Sequence, residues 1–159
     1  MKYEIYNYDC MPDEHAYKSL LCISVNYCDR FMLVVRNDMP RSDNLYKVLN
    51  KLNDFLLTSE IRNKWPGTVL TSGSAKVNTY IICEKSIEVL LKAANMFTEW
   101  IQPNLPEDIC ILRPNLREWL VTISHENDVY MYLTVDEYRM VCEMFKDNSI
   151  DISLHVHGT

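Results

Sequence analysis

Apolar residues recur along the chain in two periods, two and three-to-four, and these divide it into strands and helices. The tyrosine-rich run "KYEIYNY" (2–8) reads as a strand, and "MPDEH" breaks it. "LLCISVNY" (20–27) and "RFMLVVR" (30–36) read as two strands of a hairpin around Cys28-Asp29. The second is almost wholly apolar from Phe31 to Val35, as expected of a strand buried on both faces. "MPRSDN" (39–44) starts a helix, with Ser42 or Asp43 as its cap. Leu45, Val48, Leu49, Leu52, Phe55 and Leu56 then form one apolar stripe, closed by "KWPGT" (64–68).

Strands "TVLTS" (68–72) and "KVNTYIIC" (76–83) follow, joined by a turn containing Gly73. Ser86 caps a second helix with Ile87, Leu90, Leu91, Ala94, Phe97 and Ile101 on its stripe, and Pro103 stops it. "DICILR" (108–113), "EWLVTIS" (118–124) and "DVYMYLT" (128–134) are strands. Thr134 and Glu137 form a Thr-x-x-Glu capping box for a third helix, with Val135, Tyr138, Val141, Cys142 and Phe145 inward. "SIDISLHVH" (149–157) ends the chain as an alternating strand. Short turns between strand pairs imply antiparallel pairing. The expectation is therefore an α+β fold: a mostly antiparallel sheet with about three helices packed against it, in a single globular domain over 1–159.

Composition narrows the class. A chain of 159 residues, 48% apolar and 24% charged, can bury a core without a metal or a disulfide. Its six cysteines contain no CxxC pair, and several lie within apolar runs, where cysteine acts as a small hydrophobe. No run is long enough for a membrane span, and the N-terminus lacks a signal-peptide pattern, so a reducing cytoplasm is the expected compartment. Twenty-two acids against 16 bases give a net charge of −6. That argues against a nucleic-acid partner and fits either a simply solvated acidic surface or an acidic face for a basic protein partner.

The polar knot Ser124-His125-Glu126-Asn127-Asp128 lies between two strands, so it must first turn the chain. His125 and Glu126 are the candidates for acid–base catalysis, since histidine titrates near neutrality and a carboxylate can orient it. Trp65, His125, Glu126 and Asp128 are the candidates for partner contact, Trp65 because tryptophan dominates interface hot spots. Trp65 reads equally well as a core residue closing a turn. His155 and His157 fall on one face of the last strand and could hold a metal if folding brought a third ligand, His125, Asp151 or a cysteine. The expectation is no metal and no cofactor, because no phosphate-binding glycine motif or complete ligand set is present.

One segment, "NLPEDICILRPNLREWLVTISHENDVYMYLT", resembles small uncharacterised bacterial cytosolic proteins. The likeness lies in Pro106-Glu107-Asp108 before a strand, Trp119 in the next, the turn with His125, Glu126 and Asp128, and Leu133, Thr134 and Glu137 at a helix start. Such small acidic proteins are similar in character to the immunity proteins encoded beside bacterial toxins. The resemblance implies no catalytic residue.

Two functional readings follow. One is a cytosolic protein-binding module, with an immunity-type inhibitor of a basic toxin as an instance. The other is a small hydrolase using His125 with a nearby carboxylate. The sequence leaves the oligomeric state open, including a subunit that simply dimerises.

Overall fold

The computed structural model describes residues 4–7 and 14–145. Along them run β1 (Glu4–Asn7), α1 (Glu14–Ser24), β2 (Arg30–Arg36), α2 (Asp43–Leu52), β3 (Leu56–Arg62), β4 (Lys64–Trp65), β5 (Thr68–Val69) and β6 (Ala75–Ile81). These are followed by α3 (Glu84–Ala93), β7 (Glu107–Leu112), β8 (Glu118–Ile123), β9 (Asp128–Leu133) and α4 (Val135–Phe145). Seven strands make one sheet in the order β1-β9-β8-β7-β2-β6-β3, and β4 pairs with β5 in a separate hairpin. All the strand pairs are antiparallel. The architecture is α+β, with four helices where the pattern suggested about three. No helix among the described residues is long and apolar enough to cross a membrane. The strand expected at 149–157, with Asp151, His155 and His157, lies outside the described residues, as does Cys10.

The additional helix is α1, which replaces the expected strand over Leu20–Tyr27. Its buried residues are Ala16, Tyr17, Leu20, Leu21 and Ser24, a helical spacing that becomes visible only when the window opens at Glu14. Two backbone bonds, Tyr27 N–H and Cys28 N–H to the Ser24 carbonyl at 3.0 and 2.8 Å, then turn the chain into β2. The expected stripe of α2 also ends early. Ser42 caps the helix by accepting from the Leu45 N–H at 3.2 Å, and Leu45, Val48 and Leu52 are buried, whereas Leu49 is half-buried. Leu56 leaves the helix and opens β3, an edge strand exposed along nearly all its length. With no buried face, β3 has no alternation for a sequence reading to detect. In α3 the cap is Cys83; Ser86 sits in the first turn and accepts from the Cys83 N–H at 2.9 Å.

All four helices pack on one face of the sheet. Tyr17, Leu20, Val48, Leu90, Val141 and Phe145 meet Phe31, Leu33, Ile109, Ile111 and Met131 in a single buried cluster. On the other face the β4–β5 hairpin folds over β2 and β6 and sets Trp65 against Val34, Ala75 and Val77. Cys110, Leu112 and Val121 share that face with the partly buried Tyr130 and Tyr132.

Bulges decide which side chains reach which face. Opposite β7, β8 carries one residue too many: Leu120 faces Ile111 and Glu118 faces Leu112, leaving Trp119 as the extra residue. Strict alternation would put Trp119 with Val121 and Ile123, but the bulge moves it to the helix side with Leu120, stacked on Tyr27. Glu118 is thereby turned to the helix-free face.

Candidate functional site

Among the described residues the helix-free face is only half covered, and beside the hairpin it keeps a groove of about 500 Å³. Such a volume lies within the range of about 300–1,000 Å³ usual for ligand sites. Met32, Leu112, Glu118, Tyr130 and Tyr132 line its floor, and the strand residues Lys64 and Trp65 its wall. The two tyrosine rings meet edge to face at 5.6 Å. Burial raises both phenol pKa values above the ordinary tyrosine range, so both hydroxyls remain neutral hydrogen-bonding groups.

The lip of the groove is the β7–β8 turn, Arg113 to Arg117. Leu116 N–H donates to the Arg113 carbonyl at 2.9 Å, and Arg113 N–H to the Arg117 carbonyl at 2.8 Å. This turn holds Leu116 at φ 66°, a left-handed backbone that suits glycine or asparagine, while its side chain stands 59% exposed. Holding a leucine there costs about 1 kcal/mol. The turn is anchored from below by Arg113, which bonds both Glu137 oxygens at 2.8 and 2.6 Å and the Tyr132 carbonyl at 3.1 Å. Glu137 also completes the capping box with Thr134, so one carboxylate joins α4, β9 and the lip.

The wall is pinned by Asp108. A bulge in β7, with Met32 opposite Cys110 but Val34 opposite Glu107, sets Asp108 at φ 54°. Its carboxylate, 1% exposed, accepts from Trp65 Nε1 at 2.9 Å, Thr68 Oγ1 at 3.5 Å and Ser124 N–H at 2.9 Å. The hairpin tip approaches β8 closely: a Cβ on Gly67, whose φ is 82°, would lie 2.9 Å from Ile123 Cγ1.

The residues singled out in the sequence separate here. Trp65 is buried at 3% exposure and belongs to the wall through its packing and its bond to Asp108. His125, Glu126 and Asp128 lie at the opposite end of the β8–β9 pair from Glu118 and Tyr132, around a single 3-10 turn closed by Asn127 at φ 55°. His125 Nε2 is 3.6 Å from Glu126 Oε1, with the side chains 44% and 61% exposed. Neither residue lines the groove. No group of three potential metal ligands occurs among the described residues.

Leu116, Glu118, Tyr130 and Tyr132 were not among the candidates singled out above. The tyrosines had a signal: in β9 they alternate with the buried Val129, Met131 and Leu133, which places two large aromatics on the opposite face.

Near the same hub, Glu107 is buried, and its pKa is raised by that burial and by the charge of Asp108, against the pull of Arg36, His125 and the Gln102 N–H. A carboxylate raised in the fold loses stability for the fold as pH climbs past the ordinary glutamate range. Glu107→Gln is therefore expected to raise the melting temperature at pH 7, with the gain vanishing below about pH 4. Melting curves across that range check the sign, and a lower melting temperature at pH 7 refutes it.

Compared with protein-family models, curated proteins and solved structures, the chain matches none.

Proposed function

We propose that this protein is a protein-binding module whose partner docks in the groove on the helix-free face of its sheet. The observation that carries this reading is the exposed, left-handed Leu116 at the lip of an aromatic floor. A large apolar residue held in solvent at a backbone cost has no structural use that glycine would not serve better, whereas an interface needs such an anchor. The net charge of −6 attracts a basic partner over distance, and an inhibitor that neutralises a basic toxin is one instance. A reducing cytoplasm suits the five described cysteines, all free thiols. The hydrolase reading rests on His125, which lies exposed on a turn away from the groove, and no observation favours it over binding.

The test is a photo-crosslinking residue placed at position 116 and, as a control, at position 46, where Tyr46 is 48% exposed on α2. In cells that naturally make the protein, a discrete adduct is expected from position 116 and none from position 46. Equal labelling at both positions, or none at 116, overturns the reading.

A further inference from the structure

The groove carries charge at separated places, and that separation limits what can occupy it. Lys64 stands on the hairpin wall, two residues past the end of β3, while Glu118 stands on β8, four strands from β3 in the sheet order. Among the described residues neither has an ion-pair partner, in contrast to Arg62, which is held by Glu60. Between β8 and β3 in the sheet order lie β7 with Leu112 and β2 with Met32, and Leu116 also lines the groove. Neighbouring strands are about 4.8 Å apart, so a compact small molecule bridges only part of this width, whereas an extended chain advancing about 3.3 Å per residue covers it in a few residues. Main-chain polar groups lying across a sheet face find no strand edge to pair with. Tyr130 and Tyr132, which line the groove and whose hydroxyls bond each other and stay neutral, supply hydrogen-bonding groups there.

We propose that the groove takes an extended peptide segment of the partner in which a bulky apolar side chain, seated under Leu116, is flanked by a basic residue toward Glu118 and an acidic residue toward Lys64. This rests on the binding-module reading and adds the chemistry of the bound segment. It also assigns separate duties: Leu116 supplies affinity, and the two charges fix the direction in which the peptide lies.

The experiment is selection of a random linear peptide library on the immobilised full-length chain, followed by binding of the selected peptides to variants. Selected peptides are expected to share the base–apolar–acid order. Leu116→Gly should weaken them roughly tenfold or more while the melting temperature does not fall, which separates lost contact from lost fold. Glu118→Lys should change the preference at the basic position to an acid, and Lys64→Glu should do the reverse at the other. A charge reversal far from the groove, Lys51→Glu on α2, should change neither. Peptides with no shared charge order, peptides indifferent to Glu118→Lys, or no selected peptides at all overturn the proposal. If that happens while position 116 still gives its photo-adduct, the binding-module reading stands and only the linear-peptide chemistry is lost.

Discussion

Arg113→Ala is expected to lower the stability of the fold by about 3–5 kcal/mol, the usual cost of removing one partner from a buried ion pair. Arg113 and Glu137 are 7% and 6% exposed and joined by two hydrogen bonds. Burial alone would push the Glu137 carboxyl up, but the Arg113 guanidinium and the Thr134 N–H together hold it below the ordinary glutamate range. A carboxylate depressed in this way contributes stability that is present above the unfolded-state pKa and is lost as pH falls through the folded one. Without Arg113 the carboxylate stays buried with no opposite charge beside it. The penalty is therefore greatest at neutral pH and shrinks in acid, where Glu137 can take up a proton. Adding Glu137→Gln to Arg113→Ala should recover part of the loss, because an amide leaves no buried charge. Guanidinium unfolding at pH 7 and pH 4 measures all of this. A single variant within about 0.5 kcal/mol of the parent at pH 7, the scatter of ordinary surface sites, refutes the account.

Asp108→Ala is expected to cost about 2–6 kcal/mol, because it strands two buried donors at about 1–3 kcal/mol each. These are the Trp65 indole N–H and the Ser124 backbone N–H. Alanine also tolerates the φ of 54° less well than aspartate, whose short polar side chain can bond locally. The loss should be uneven. The β4–β5 hairpin is held down by Trp65, Thr68 and the close approach of Gly67 to Ile123, so its amides should exchange with solvent before those of the central strands. Asp108→Asn keeps an acceptor and should fall between the parent and the alanine variant. Hydrogen exchange at Thr68 and Val69, together with an unfolding curve, checks both statements. Unchanged protection of the hairpin in Asp108→Ala would show that the carboxylate does not pin it.

These two side chains act on the groove without lining it. Arg113 holds the turn that presents Leu116, and Asp108 holds the wall that Trp65 belongs to. Variants of either are expected to weaken partner binding through the fold, in contrast to Leu116→Gly, which removes the contact and relieves the backbone.

Those parts of the molecule whose cause is local were legible in the order of residues. Ser42 caps α2 and Thr134 with Glu137 boxes α4 because a hydroxyl and a carboxylate a turn apart satisfy free N–H groups wherever they occur. The strands β2, β6, β7, β8 and β9 were legible because each buries a face or both faces, which leaves a periodic trace. The turn at His125 was legible too, since Asn127 can take the left-handed backbone that closes it.

Other features arise only from contacts across the assembled fold. β3 pairs at the sheet edge with nothing buried on either side, so only its partner β6 makes it a strand. Bulges in β7 and β8 shift side chains between faces by a single extra residue, which sends Trp119 to the core, brings Glu118 into the groove and aims Asp108 at Trp65. Arg113 and Glu137 stand 24 residues apart, and nothing in either neighbourhood marks them as partners. The groove itself is a space between a folded-over hairpin and a turn two β-strands away in sequence. It exists only once the sheet has assembled, because register and bulge placement are settled by pairing across the sheet and not by any one strand.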